Sequence, residues 1–189
     1  VLDYYQINHC PMIGISWGGY FVMRAAAFEK RISAVVAYDV ADDGLEIMTN
    51  VFPPILRRLI RWVFAHKQEK LVNHLVRFAI HKSVLADWAL SQGQYITHTK
   101  SPYRFYQEVQ KHTLRGVCDR ITQDCLLLAG EKDHYIPIDQ FERLQSSLPN
   151  ARSVKKCVFT QAEGGEQHCQ IGNHQLALNE ITQWLEGLE

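Results

Sequence analysis

The sequence lacks an excess of charge of either sign. Its 189 residues include 20 Lys and Arg and 20 Asp and Glu, which gives a formal net charge of zero. Nucleic-acid-binding proteins usually carry a basic surplus, so we expect no nucleic-acid partner. A membrane-spanning helix needs about 18 or more consecutive apolar residues, and no run here approaches that length. We therefore expect no membrane partner either.

Paired cysteines and closely spaced metal ligands are missing as well. Five cysteines are present, an odd number without a C-x-x-C pair: Cys10, Cys118, Cys125, Cys157 and Cys169. Zinc sites need closely spaced ligands, and disulfide frameworks normally use an even set. His74 and His81 could share a helical face, but no carboxylate or thiolate spacing completes a site. The sequence predicts no metal, no cofactor, and free thiols in a cytoplasmic protein.

An apolar fraction of 47% and a charged fraction of 21% indicate a globular chain. Residues 10–16 form a short apolar run, residues 18–29 favour a helix, and residues 32–38 form a β-branched run. A strand, a helix and a strand in this order predict a βαβ unit in a parallel sheet. Strands over 125–130 and 154–160 are expected to continue this α/β pattern.

The middle of the chain has a different, helical pattern. Apolar residues such as Ile55, Leu59 and Val63 recur at three- and four-residue spacing, and arginines lie off that stripe. A basic amphipathic helix could bind anionic lipid. We interpret the arginines instead as the solvated face of a helical insertion over 42–119.

A possible nucleophile lies between the first predicted strand and helix. Residues 14–19 read Gly-Ile-Ser-Trp-Gly-Gly, a G-x-S-x-G sequence in the strand-to-helix context of a nucleophile elbow. Such a turn would project the hydroxyl of Ser16 at the carboxyl end of the sheet. The backbone N–H of Trp17, at the start of the helix, would then stabilise an oxyanion.

A serine nucleophile needs a base and an orienting acid, which should follow in the order Ser, Asp or Glu, His. Asp133 follows the strand 125–130 and is the predicted acid, with Glu131 and Asp39 as weaker alternatives. The base is expected in the loop before the last helix, where His168 lies. His174 is the alternative, but it falls within the first turn of that helix.

These motifs resemble the second half of an α/β-hydrolase. The resemblance covers residues 1–40 and 120–189, and residues 163–173 are similar to a subgroup containing acylaminoacyl-peptidase-like and carbon–carbon-bond hydrolases. It implies a mostly parallel sheet of four strands with an inserted helical cap. The implied segments are a nucleophile-elbow part (1–41), a cap (42–119) and a part carrying acid and base (120–189).

The resemblance further implies a serine hydrolase that cleaves an ester, an amide or a carbon–carbon bond in a small acyl or carbonyl compound. An acylaminoacyl-type peptidase and a non-catalytic interaction module of the same fold are the alternatives. Aromatic residues of the insertion would line the roof of an apolar pocket.

The chain departs from the family before the nucleophile strand. Four strands and the first helices precede that strand in the family, whereas here only residues 1–8 do, and they resemble the helix just ahead of it. We therefore expect an N-terminally truncated chain without the loop that donates the second oxyanion N–H. The open apolar edge of the sheet would be covered by the missing segment or by a second copy.

Overall fold

The computed structural model describes residues 1–50, 53–80 and 84–188. Its four parallel strands form one sheet in the order β1-β2-β3-β4. They are β1 Cys10–Ile15, β2 Ile32–Tyr38, β3 Asp124–Gly130 and β4 Ser153–Phe159. The predicted α/β class with a parallel sheet is confirmed.

The described residues also form eight α-helices. They are α1 Trp17–Ala26, α2 Gly44–Asn50, α3 Pro54–Ala65, α4 Glu69–Ile80, α5 Val84–Ile96, α6 Pro102–Val109, α7 Ile138–Ser146 and α8 His174–Glu186. Short 3-10 turns lie at Cys118–Arg120, Gln161–Glu163 and His168–Gln170. None of these described helices is long and apolar enough to cross a bilayer.

The first eight residues differ from the expectation. They resemble a helix in sequence, but the structure contains only a hydrogen-bonded turn there, with the Tyr5 N–H donating to the Val1 carbonyl at 3.0 Å. One turn fixes too few hydrogen bonds to propagate as a helix. Residues 7–9 have no regular secondary structure before β1 begins at Cys10.

The central strands explain why the apolar runs are continuous rather than alternating. Every residue of β3 is buried, and so is β2 from Ala34 to Tyr38. Strands covered on both faces need apolar side chains at every position. On one face, β2 and β3 share a cluster with Ala177, Ile181 and Trp184 of α8.

The strand β1 lies at one edge of the sheet and pairs with β2. Its Ile13 and Ile15 side chains are 48% and 54% exposed. An edge strand with exposed apolar residues can pair with further chain, and what would cover this edge stays a prediction.

The chain divides into two compact units. One contains Val1–Asp43 and Thr113–Glu189, and the other contains Gly44–His112. The second unit is entirely helical in its described part and packs around Val63, Phe64, Val72 and Tyr103. The segment predicted as a cap, 42–119, contains this unit, and its role as a cap stays a prediction.

Candidate active site

The turn between β1 and α1 holds Ser16 in an unusual backbone conformation. Ser16 has φ 57° and ψ −121°, a region that residues with side chains rarely adopt. Its N–H donates to the Tyr38 carbonyl at 2.7 Å, which ties the turn to the end of β2. A Cβ atom on Gly14 would lie 2.0 Å from the Gly18 carbonyl oxygen. The chain can therefore reverse this tightly only with glycine at position 14.

This contact gives a matched pair of variants. Gly14→Ala should lower the free energy of unfolding by about 3 kcal/mol, because the new methyl group meets backbone that cannot move away. Gly18→Ala should leave it unchanged or raise it by up to about 1 kcal/mol, because no atom lies within 4 Å of a Cβ there. Urea unfolding of both variants measures the difference. Equal stabilities would contradict the tight reversal at Gly14.

The structure brings the three predicted site residues together. Ser16 Oγ lies 2.8 Å from His168 Nε2, and His168 Nδ1 lies 2.6 Å from Asp133 Oδ2. Ser16 follows β1, Asp133 follows β3, and His168 lies in the loop between β4 and α8. Because the strands are parallel, all three groups lie at the carboxyl end of the sheet. The histidine is oriented with one ring nitrogen toward a hydroxyl and the other toward a carboxylate.

Asp133 is held in place by its own loop. Its Oδ1 accepts hydrogen bonds from the backbone N–H groups of Tyr135 at 2.7 Å and Ile136 at 3.0 Å. The side chain is 2% exposed, so the carboxylate is almost fully screened from water. One oxygen is thus fixed by the backbone, and the other is directed to the imidazole.

The pKa of His168 reflects this pairing. Burial of the ring by itself lowers the pKa, because it disfavours the charged imidazolium. Hydrogen bonds with Asp133 and Cys169 and the negative charge of Asp133 act in the opposite direction. They outweigh burial, so the pKa of His168 is raised above its ordinary value of 6.5. The carboxylate therefore stabilises the protonated ring that a general base forms during catalysis.

Asp39 is a second carboxylate that contacts the loop between β4 and α8, residues 160–173, which we call the histidine loop. It follows β2 with φ 58°, and its side chain is fully buried. Its Oδ2 lies 3.6 Å from His168 Nδ1 and accepts the Cys169 N–H, while its Oδ1 accepts from Gln170 Nε2 at 3.2 Å. Burial raises the pKa of Asp39. Asp39 thus anchors the loop next to the ring, whereas Asp133 makes the short contact with the ring itself.

Glu131, His174 and His74 occupy different positions in the fold. Glu131 is exposed, and its carboxylate accepts the Gln161 N–H at 2.8 Å. This hydrogen bond links the residue after β3 to the segment after β4. His174 is exposed as the first residue of α8. His74 is exposed on α4, and His81 lies outside the described residues.

The contact between Asp39 and the histidine loop was not predicted from the sequence. Its visible signal was an acidic residue directly after a buried strand, because the carboxyl ends of parallel strands meet at one edge of the sheet. From the sequence, Asp39 is only a weaker candidate for the orienting acid. The structure gives it a different place, under the backbone of Cys169 and Gln170.

The histidine loop also depends on two close contacts. The Tyr38 hydroxyl donates to the Cys169 carbonyl at 2.9 Å. At Gly130, a Cβ atom would lie 2.4 Å from the Glu166 carbonyl oxygen, so the end of β3 touches the loop backbone directly. Residues Cys169 and Gln170 both have positive φ, at 53° and 45°. These contacts stabilise a backbone shape that the two residues disfavour.

Trp17 begins α1 immediately after Ser16. Its backbone N–H therefore lies at the positive end of the helix dipole, beside the hydroxyl of Ser16. An open cleft of about 450 Å³ lies elsewhere in the same unit, lined by residues such as Asp42, Leu114 and Arg115. Neither Ser16 nor His168 lines it, so this cleft is separate from the site.

Comparisons with known proteins identify similar chains that are named hydrolases or hydrolyases. A hydrolase of a Fusarium species is 23% identical over 185 residues, which cover 96% of this chain and 43% of that protein. A hydrolyase of Penicillium oxalicum is 29% identical over 109 residues, which cover 58% of this chain and 25% of that protein. The crystal structure of 2,6-dihydroxy-pseudo-oxynicotine hydrolase superposes with a TM-score of 0.59 at 16% identity, covering 95% of this chain and 40% of that one.

The chain thus spans less than half the length of these relatives. The structural likeness, at such low identity, concerns the fold. Residues 1–168 match the family profile described as the alpha/beta hydrolase fold, which is most of the chain. The chain therefore belongs to the α/β-hydrolase family.

Proposed function

We propose that this chain carries the catalytic groups of a serine hydrolase that cleaves a small acyl or carbonyl compound. The observation that carries the proposal is the continuous hydrogen-bonded chain from Ser16 through His168 to Asp133. A hydroxyl, an imidazole and a buried carboxylate in this order are the groups that nucleophilic acyl transfer needs. The family membership and the relatives named hydrolases support the same reaction class.

The reaction would begin with attack of Ser16 Oγ on the substrate carbonyl. His168 Nε2 takes the hydroxyl proton as the Oγ–carbon bond forms, and Asp133 stabilises the imidazolium. The carbonyl oxygen becomes an oxyanion, toward which the Trp17 N–H contributes one donor. His168 then returns its proton to the leaving group, and water repeats the sequence to release the acid and restore Ser16.

The same groups can cleave esters, amides and carbon–carbon bonds next to a carbonyl. Each of these cleavages proceeds through a tetrahedral centre, or its equivalent, on the carbonyl carbon. The 2,6-dihydroxy-pseudo-oxynicotine hydrolase among the structural neighbours favours a carbonyl compound with an apolar or aromatic body. The proposal also includes a cytoplasmic location and a reaction that needs no cofactor.

Labelling with a fluorophosphonate probe tests the nucleophile. The probe should modify the protein at Ser16, because only a serine activated by a base reacts at a useful rate. Ser16→Ala should abolish labelling, and Ser147→Ala should leave it unchanged, since Ser147 lies at the end of α7 away from His168. Absence of labelling at Ser16, or equal labelling of Ser16→Ala, contradicts the proposal and favours a non-catalytic module.

A second measurement separates the acylaminoacyl peptidase alternative. A hydrolase of small carbonyl compounds should hydrolyse p-nitrophenyl butyrate faster than the anilide of an acylated amino acid. A higher kcat/KM for the anilide would assign the chain to the peptidase class instead.

A further inference from the structure

Three possible metal ligands lie close together in and beside the histidine loop. They are Asp39, His168 and Cys169, and one ligand atom from each lies within 4.8 Å of the other two. Among the residues that the structure describes, these three form the group of His, Cys, Asp or Glu side chains whose ligand atoms lie this close together. Cys169 carries a free thiol, and the carboxylate of Asp39 is buried.

The separation between the imidazole and carboxylate ligand atoms suits a tetrahedral ion. With metal–nitrogen and metal–oxygen bonds of about 2.1 Å and a metal–sulfur bond of about 2.3 Å, adjacent ligand atoms lie roughly 3.3–3.6 Å apart. His168 Nδ1 and Asp39 Oδ2 are already 3.6 Å apart. Imidazole, thiolate and carboxylate are also the three ligand types that zinc takes in proteins.

We propose that this cluster is an inhibitory site for Zn²⁺ or a similar thiophilic divalent cation. The ion binds His168 Nδ1, Cys169 Sγ and Asp39 Oδ2, and water fills the fourth position. Binding releases the thiol proton to solvent and shifts the ring proton of the neutral imidazole from Nδ1 to Nε2, because a metal ligand must offer a free lone pair. The same nitrogen holds Asp133 at 2.6 Å in the structure, so the ion and Asp133 compete for it.

Competition at Nδ1 makes the ion an inhibitor rather than a cofactor. With the cation on Nδ1 and the ring proton on Nε2, the imidazole has no lone pair left to accept the proton of Ser16. This inhibitory consequence rests on the proposed serine hydrolase function, whereas binding of the ion does not. The sequence predicts no metal site because the ligands have no recognisable spacing. Asp39 precedes His168 by 129 positions, and the parallel pairing of β2 with β3 and of β3 with β4 brings the ends after β2 and β4 to the same edge of the sheet.

Binding is tested first with Co²⁺, which reports thiolate ligands by absorption. The protein with Co²⁺ should show a thiolate-to-cobalt charge-transfer band, and Zn²⁺ should remove the band by displacement. Cys169→Ser should abolish it and weaken Zn²⁺ binding more than about 100-fold, since even indirect partners of a metal ligand contribute 10–100-fold. Asp39→Asn, which keeps the shape of the side chain, should also weaken binding.

Cys157→Ser is the matched control, because Cys157 is a free, partly buried thiol of β4 outside the cluster. It should retain the band and the affinity of the parent protein. Circular dichroism spectra establish that each variant is folded. A band that survives in Cys169→Ser, or no binding of Zn²⁺ by the folded parent protein, would overturn the proposal.

The inhibitory consequence has its own readout. Zn²⁺ should slow fluorophosphonate labelling of Ser16 in the parent protein and in Cys157→Ser, and a chelator should restore the rate. Cys169→Ser should label at a rate that Zn²⁺ changes at least tenfold less. If Co²⁺ binds through Cys169 but the parent is never labelled, the metal site stands and the hydrolase function fails. Equal Zn²⁺ sensitivity of Cys169→Ser would refute inhibition through this cluster.

Discussion

His168→Ala should lower kcat/KM for p-nitrophenyl butyrate by a factor on the order of 10⁶. The imidazole is the base 2.8 Å from Ser16 Oγ, and without it the hydroxyl has no acceptor for its proton. Most of the loss should fall on kcat, because the ring takes part in the transition state more than in substrate binding. Initial rates at saturating and limiting ester concentrations separate the two parameters.

Two further variants sharpen this test. The double variant Ser16→Ala with His168→Ala should be no slower than either single variant, because residues that act as one unit lose their effect together. His134→Ala should remain close to the parent rate, since its ring is exposed and lies 6.3 Å from that of His168. Additive losses in the double variant would mean that the two residues act independently.

Much of the site could be predicted because its residues are marked locally. Glycine at position 14 is required by the close approach of the Gly18 carbonyl, so the turn leaves a sequence signature. Asp133 follows the buried strand β3, His168 lies in the loop after β4, and the parallel sheet places the carboxyl ends of all four strands at the same edge. A βα order therefore predicts both the class of the sheet and the proximity of these groups.

The role of Asp39 could not be predicted in the same way. Its contacts with Cys169 and Gln170 depend on two positive-φ residues in a loop more than a hundred positions away. No periodicity or short motif encodes such a meeting, because it arises from the sheet order and the exact path of the loop. The same limitation applies to residues 1–8, where the resemblance to a family helix corresponds to a hydrogen-bonded turn, too short to propagate as a helix.

Asp133→Asn should lower kcat by about 10⁴-fold while leaving the fold intact. The amide keeps the size of the carboxylate and can still accept the N–H groups of Tyr135 and Ile136 at its oxygen. It offers an N–H to His168 Nδ1, however, and that favours the tautomer with its proton on Nε2. A ring protonated at Nε2 cannot accept the proton of Ser16.

The pH dependence of this variant distinguishes Asp133 from Asp39. The neutral form of His168 is the active base, so kcat/KM falls as pH drops through the pKa of His168. In the parent protein that pKa is raised above 6.5, which places the acid limb of the profile above the pH of an ordinary histidine. Asp133→Asn removes the largest cause of the raised pKa, the hydrogen bond with Asp133, together with the charge of Asp133, while the contact with Cys169 still raises the pKa and burial still lowers it.

The acid limb of the kcat/KM profile of Asp133→Asn should therefore move to lower pH, even as the maximum rate falls. Asp39→Asn should move the limb less and cost less activity, because Asp39 lies 3.6 Å from Nδ1 and acts mainly by anchoring the loop. Profiles of kcat/KM measured between pH 5 and pH 10 for the three proteins decide the assignment. A larger shift and a larger loss in Asp39→Asn would make Asp39 the orienting acid, with Asp133 reduced to a support of its own loop.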